Sequence, residues 1–177
     1  MVNRAVAERP ADRPAPNARE AAIWSVLERV PDPEIPILTV VDLGIVRSVV
    51  CDGQAAPQVA ITPTYSGCPA TAVIRSDIER ALAEAGHGDA RVYEVLSPPW
   101  SSDWLSEDGR RKLREFGIAP PAEQVSSPRR LFGSPKIACP RCGSTTTERV
   151  SEFGSTPCKA HYRCVSCCEP FDYFKCI

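Results

Sequence analysis

Two pairs of closely spaced cysteines near the C-terminus constrain what this chain can fold into more than any other feature. Cys139 and Cys142 form one Cys-x-x-Cys pair, and Cys164 and Cys167 form a second. A tight turn brings both sulfurs of a pair to one point, and two pairs separated by about 20 residues can close a tetrahedron around one metal ion. The sequence therefore predicts a four-cysteine zinc ribbon over residues 136–177, with a short hairpin in the spacer between the pairs.

The four cysteines are best interpreted as a structural site. A shell of four thiolates leaves no coordination position open for a substrate, so it stabilises a small domain without catalysing a reaction. An iron-sulfur or redox centre is the alternative for the same residues. Further residues of the ribbon exceed what one tetrahedral ion needs and are open to interpretation as additional ligands or buried thiols: Cys158, His161, Cys168 and Cys176.

Charge and hydropathy exclude several classes of protein. The 177 residues carry 21 lysines and arginines against 22 aspartates and glutamates, a net charge of -1, so no basic field indicates nucleic-acid binding. No apolar run approaches the ~18 residues that span a bilayer, and the first residues lack the apolar core of a signal peptide. We expect a cytoplasmic protein, and in that reducing compartment paired cysteines favour metal binding over disulfides.

Composition and periodicity divide the chain into four parts. Residues 1–17 are rich in alanine, arginine and proline and predict a disordered arm. Residues 18–117 predict an α/β (α+β) domain, ordered helix, two strands, helix, strand, helix, with a small three-stranded open sheet and helices on one face. Residues 118–135 contain four prolines and predict a linker, which leads to the ribbon.

The individual elements follow from hydrophobic spacing. Apolar residues at helical spacing predict helices that begin near residues 18, 70 and 103, and the last of these ends at Gly117 with Phe116 facing inward. Runs of β-branched residues predict strands at 37–50, where Asp42 and Gly44 break the run, at 58–64 and at 89–96.

A lone cysteine outside the ribbon has the setting of a reactive thiol. Pro69 suits the first position of a helix, which predicts Cys68 at the N-cap, and Gly67 allows the backbone to turn sharply before it. Free N–H groups and the positive end of the helix dipole stabilise a thiolate there, which favours a nucleophile or a metal ligand. A buried and inert thiol is the competing interpretation.

An acidic turn precedes the first predicted strand. Its sequence is Pro31-Asp-Pro-Glu-Ile-Pro36, and each proline pushes the residue before it into an extended conformation. One interpretation is a rigid connector in which Asp32 caps nearby backbone. The other is a carboxylate pair, Asp32 and Glu34, that faces a metal or a partner.

Several motifs of the chain resemble known families. Asp32-Pro-Glu-Ile-Pro36, Val41-Asp-Leu-Gly-Ile-Val46 and Thr64-Tyr-Ser-Gly-Cys-Pro-Ala70 resemble the metal-sulfur cluster biosynthesis domain family, which includes SufT-like proteins. Other segments are similar to PaaD proteins, which are associated with the phenylacetyl-CoA epoxidase complex: Pro98-Pro-Trp-Ser-Ser-Asp-Trp104, Phe153-Gly-Ser-Thr-Pro-Cys-Lys159 and Glu169-Pro-Phe-Asp-Tyr-Phe-Lys175.

The resemblance implies an accessory maturation factor of aerobic phenylacetate catabolism, not an enzyme. It implies that Cys68 helps to deliver iron or an iron-sulfur cluster, that Asp32, Glu34 and Asp42 accompany it, and that the ribbon holds a structural zinc. The implied partners are epoxidase components, especially the iron-sulfur reductase, with no nucleic acid and no membrane. A homodimer would bring two Cys68 thiolates together.

Two other functions remain as alternatives. In the first, the chain is a non-catalytic docking subunit, and the ribbon and the loop of Trp100 and Trp104 bind the oxygenase. In the second, Cys68 is the nucleophile of an enzyme, but His87 and His161 both lie in settings that do not identify a base for it.

Overall fold

The computed structural model describes residues 15–65, 67–122 and 136–175. The chain divides into two compact units, Met1–Trp100 and Ser101–Ile177. The predicted boundary at residue 117 therefore differs from the observed one. Most of the predicted arm, the predicted linker beyond residue 122, and Cys176 lie outside the described residues.

The first unit contains a three-stranded sheet and two helices. Its elements are α1 (Ala18–Leu27), β1 (Val46–Val50), β2 (Gln58–Ile61), α2 (Ala70–Glu84) and β3 (Arg91–Glu94). The strand order is β1-β2-β3, in which β1 and β2 form an antiparallel hairpin and β2 pairs parallel with β3. A parallel pair needs a crossover connection, and α2 supplies it. The predicted mixed fold with a three-stranded sheet is confirmed.

Helices α1 and α2 contact each other and the sheet, α1 against β1 and α2 against β3. Large apolar side chains from helices, strands and the connecting turns fill the space between them, and several are fully buried: Ile23, Leu27, Leu38, Ile61, Ile78 and Leu82. These residues include the apolar positions at helical spacing in the sequence. The core of this unit therefore follows from the periodicity of the chain.

Helix α1 begins with a capping box. The Asn17 side chain accepts a hydrogen bond from the Glu20 amide, and the Glu20 carboxylate accepts one from the Asn17 amide, both at 2.9 Å. This arrangement satisfies two backbone donors at the helix start. The arm predicted for residues 1–17 therefore extends too far, because Asn17 belongs to the folded unit.

The segment before β1 is not the strand that its β-branched residues predict. Residues 37–44 form turns, and β1 begins only at Val46. The Asp42 carboxylate accepts hydrogen bonds at 3.0 Å from both the amide and the hydroxyl of Thr39. Such local side-chain bonds compete with a strand ladder, and they explain why the strand is shorter than predicted.

The second unit contains a four-stranded sheet and one helix. Its elements are a 3-10 turn (Ser102–Trp104), α3 (Glu107–Glu115), β4 (Ile118–Ala119), β5 (Thr147–Ser151), β6 (Lys159–Cys164) and β7 (Pro170–Phe174). The order is β4-β7-β6-β5, with β5, β6 and β7 antiparallel and β4 parallel to β7. The hairpin predicted in the cysteine spacer is the pair β5 and β6.

Three predictions for this unit need correction. The third helix starts at Glu107 and not near residue 103, because Ser106 is its N-cap and accepts from the Gly109 amide at 2.9 Å. Phe116 is 60% exposed and does not face inward. The predicted linker begins with a strand instead, since Ile118–Ala119 pairs with β7. This pairing assigns α3, which contacts β4, to the ribbon unit.

Candidate functional site

The sulfurs of Cys139, Cys142, Cys164 and Cys167 all lie within 4.8 Å of one another. The Cys139 and Cys167 sulfurs are 3.8 Å apart, and those of Cys142 and Cys164 are 3.6 Å apart. A zinc ion bound tetrahedrally at about 2.3 Å from each sulfur requires sulfurs about 3.8 Å apart. The four side chains therefore fit one tetrahedral metal ion.

The two cysteine turns have the same backbone closure. The Cys139 amide donates to the Ser144 carbonyl, and the Cys164 amide donates to the Glu169 carbonyl, both at 2.9 Å. Side chains also connect the turns. The Ser144 and Ser166 hydroxyls are 2.7 Å apart. The backbone bonds close each turn, and the contact between the two serines joins one turn to the other.

The residue after each second cysteine has a left-handed backbone. Gly143 has φ 74° and Cys168 has φ 61°, a conformation that costs a non-glycine residue about 1–2 kcal/mol. Aligning Cys-Pro-Arg-Cys-Gly-Ser with Cys-Val-Ser-Cys-Cys-Glu places both residues in the same column. Cys168 therefore completes the second turn through its backbone, and its exposed thiol is not part of the convergent group.

The crowded thiols have unequal proton affinities. Backbone N–H groups, first that of Cys167, donate to the Cys164 sulfur and lower its pKa to about 6. The Glu169 N–H lowers the pKa of Cys167, but contact with neighbouring sulfurs, Cys142 foremost, together with burial, outweighs it and raises that pKa to about 12. Negative charges this close repel one another. A bound cation compensates the repulsion between neighbouring thiolates, so the cluster has the chemistry of a metal site.

Two other predicted ribbon candidates lie outside this group. Cys158 is buried, with its sulfur 3.0 Å from the Thr156 hydroxyl. The His161 ring nitrogen Nδ1 lies 3.2 Å from an oxygen of Asp172, a cross-strand partner that the sequence pattern did not predict. No sequence spacing links residues 161 and 172, because the strand register alone brings them together.

Cys68 lies in the turn between β2 and α2 and is half-buried. The Cys68 amide donates to the Tyr65 carbonyl, and its own carbonyl accepts from the Thr71 amide, both at 3.2 Å. Helix α2 is assigned from Ala70 with Pro69 as the residue before it, and Pro69 already has helical φ and ψ of -65° and -25°, the angles of a first helical position. Cys68 directly precedes Pro69 and therefore lies at the helix N-terminus.

The acidic residues predicted to accompany Cys68 have structural hydrogen bonds. One oxygen of Asp32 accepts from the Glu34 amide at 2.9 Å and from the Ile35 amide at 2.8 Å. Asp42 is bonded to Thr39 in the turn before β1. Within the described ranges, the four ribbon cysteines are the one group of three or more ligand side chains that converges. Cys68 and the carboxylates do not form a second such group there.

The tryptophan loop differs from the prediction of a docking surface. Trp100 and Trp104 are both buried, and the Trp100 indole N–H donates to the Leu43 carbonyl at 2.9 Å. An indole buried with its polar group satisfied is a packing residue. These side chains therefore present little surface to a partner.

Comparison with known proteins matches both units. The family model for the PaaD zinc beta ribbon domain matches residues 123–175, and the model for iron-sulfur cluster assembly proteins matches residues 20–93. A protein of Escherichia coli that is named as a component of 1,2-phenylacetyl-CoA epoxidase is 50% identical over 155 residues, which cover 88% of this chain and 92% of that protein. The chain belongs to the PaaD family.

Shorter relatives match less than half of this PaaD-family chain. The Fe-S protein maturation auxiliary factor YitW of Bacillus subtilis is 35% identical over 48% of this chain and 82% of that protein. The Fe-S protein maturation auxiliary factor SufT of Staphylococcus aureus is 38% identical over 42% of this chain and 85% of that protein. Among the described helices, none has the length and apolar character needed to cross a membrane.

Proposed function

We propose that this protein is an accessory maturation factor of phenylacetyl-CoA epoxidase and assists delivery of iron or an iron-sulfur cluster through Cys68. The observation that carries the proposal is the division of the cysteines. Four converge into a closed group, whereas Cys68 lies at the start of α2 and outside that group. The names of relatives support both parts of this proposal, since one is named as an epoxidase component and two are named as Fe-S maturation factors.

The metal proposed for the ribbon is zinc. The sulfur separations of 3.6 and 3.8 Å suit a tetrahedral ion of that size. Bound by Cys139, Cys142, Cys164 and Cys167, zinc supplies a cross-link between the two cysteine turns. With all four positions occupied by protein, the ribbon would hold its ion permanently and would not transfer it.

The role proposed for Cys68 depends on incomplete coordination. A thiolate at a helix N-terminus is favoured by the free N–H groups and the helix dipole. Cys68 is half-buried, so part of this residue is open to a partner. Iron or a cluster held by few ligands from this chain can pass to a protein that supplies the rest of the shell. Asp32, Glu34 and Asp42 then act by shaping the turns in which they lie.

The proposed recipient is an epoxidase component, with the iron-sulfur reductase as the main candidate, and the proposed site of action is the cytoplasm. In this scheme the protein does not catalyse the epoxidation. A homodimer that pairs two Cys68 thiolates is compatible with the scheme.

Replacing Cys68 in cells tests this function. With Cys68→Ser, we expect the epoxidase to accumulate with its reductase deficient in iron and sulfide and its activity strongly reduced. The matched control is Cys51→Ser, which changes a buried cysteine of the same unit. If Cys68→Ser supports normal iron content and activity while the variant remains folded, the delivery role is wrong.

A further inference from the structure

The loop that joins β5 to β6, residues 152–158, is hydrogen-bonded to the sheet at several points. The Gly154 amide donates to the Lys159 carbonyl at 2.8 Å, and the Lys159 amide donates to the Thr156 carbonyl at 3.0 Å. The Ser155 hydroxyl donates to an oxygen of Asp172 on β7 at 2.9 Å. A surface loop with this many bonds has little conformational freedom left to lose on binding.

Close packing under the loop favours a glycine at position 154. A Cβ atom added to Gly154 would meet an Asp172 carboxylate oxygen at 2.8 Å and the Lys159 Cβ at 3.2 Å. The first distance is shorter than a normal non-bonded contact. The loop therefore lies directly on β6 and β7, and a side chain at this position would have to displace the Asp172 carboxylate from Ser155 and His161.

Lys175, which follows β7, fastens the loop from the other side. Its amide donates to the Cys158 carbonyl at 3.0 Å, and its ammonium donates to the Glu152 carbonyl at 3.2 Å. The same ammonium lies 4.5 Å from the centre of the Phe153 ring. A cation over an aromatic face is an attractive contact, so Lys175 also orients this ring.

This hydrogen-bonded loop exposes the aromatic side chain of Phe153 to solvent. Phe153 is 63% exposed, and Val150, the residue left over at the bulge of β5, is 60% exposed. Neither side chain contributes to the core of the ribbon unit, which lies among other residues. Rigid exposed aromatic residues are the groups that typically supply most of the energy of a protein interface.

The charged residues near Phe153 differ in their partners. Glu152 pairs with Arg149, and Glu148 pairs with Arg163, so each of these acids has a cationic neighbour. Lys175 has no carboxylate within salt-bridge distance in the part of the chain that the structure describes. A partner that covers Phe153 must also accommodate this ammonium.

We propose that Val150, Phe153 and Lys175 form a docking surface, the Phe153 surface, for a partner protein that offers an apolar pocket with a carboxylate at its rim. The proposal rests on the proposed function, which makes a component of the epoxidase this partner. It separates two tasks, because the Phe153 surface holds the partner and Cys68 acts on it.

Binding of purified epoxidase that lacks its PaaD component tests this surface. We expect Phe153→Ser to weaken binding at least tenfold, and Lys175→Glu to weaken it several-fold with a reduced dependence on salt. Lys175→Arg keeps the cation and binds like wild type. The matched control is Phe116→Ser, which removes a phenylalanine of the same unit that is 60% exposed and leaves affinity unchanged. Metal content equal to wild type confirms that each variant ribbon is folded.

The outcomes separate this surface from the proposed function. If Phe153→Ser binds within twofold of wild type, the Phe153 surface is refuted while the delivery role stands. If wild type does not bind the epoxidase at all, the proposed function fails and the docking proposal fails with it. In a third outcome, wild type forms a dimer in sedimentation experiments that Phe153→Ser dissociates without affecting epoxidase binding. In that case the Phe153 surface binds a second copy of this chain, and the proposal is wrong.

Discussion

The two cysteine regions of this chain differ in how many metal ligands each one supplies. In the ribbon, two turns with the same backbone closure bring four sulfurs within 4.8 Å of one another. In the turn before α2, Cys68 stands beside a helix N-terminus and outside that group. The first region is complete within one chain, whereas the second requires ligands from elsewhere if it is to bind a metal.

This difference shows why the number of cysteines is a poor guide to where chemistry takes place. A full thiolate shell stabilises a fold and holds its ion tightly. A thiol with few neighbouring ligands is the one that can exchange its cargo. The region with fewer cysteines is therefore the one to which we assign transfer.

The largest expected effect is that of Cys164→Ser, which removes a fully buried ligand of the ribbon group. Because binding of a structural zinc ion contributes about 10 kcal/mol or more to the folding of small domains, we expect loss of the bound metal and unfolding of the ribbon. Metal analysis and hydrogen exchange would measure both. Cys158→Ser, which alters another buried ribbon thiol, should keep its metal. Full metal retention by Cys164→Ser would remove the distinction between the regions.

Substitutions of Asp32 test whether the acidic turn stabilises the fold or contributes to metal binding. Asp32→Ala leaves the Glu34 and Ile35 amides without their acceptor, and we expect a loss of about 2 kcal/mol in the free energy of unfolding. Asp32→Asn retains an acceptor oxygen and should recover most of this stability, as measured by denaturant titration. If Asp32→Asn is stable but abolishes epoxidase maturation, the carboxylate has a direct role beside Cys68.

The smallest expected effects compare the two cysteine turns with each other. Gly143→Ala places a side chain on a backbone with φ 74° and should destabilise the ribbon by about 1 kcal/mol. Cys168→Gly relieves the same strain at φ 61°, but glycine also loses more entropy on folding, so we expect a gain below about 1 kcal/mol. Thermal unfolding of the metal-bound protein would measure both. A large loss of stability or metal in Cys168→Gly would show that its thiol is needed.

Local patterns in the sequence predicted the parts of the structure that depend on neighbouring residues. The Cys-x-x-Cys pairs predicted the ribbon group, and helical spacing predicted α1 and α2. The first strand starts at Val46 and not near residue 37, because Asp42 bonds to Thr39 in the turn before it. The β4 pairing with β7, the contact of His161 with Asp172 and the fastened Phe153 loop depend on register between distant segments, which no local spacing encodes.

Metal analysis of protein purified without oxygen tests the central claim most directly. Wild type and Cys68→Ser should each contain about one zinc ion per chain, and only wild type should also carry iron with the optical absorption of an iron-sulfur species after exposure to iron and sulfide. Loss of zinc in Cys68→Ser, or equal iron in both proteins, would contradict the assignment of a structural metal to the ribbon and of transfer to Cys68.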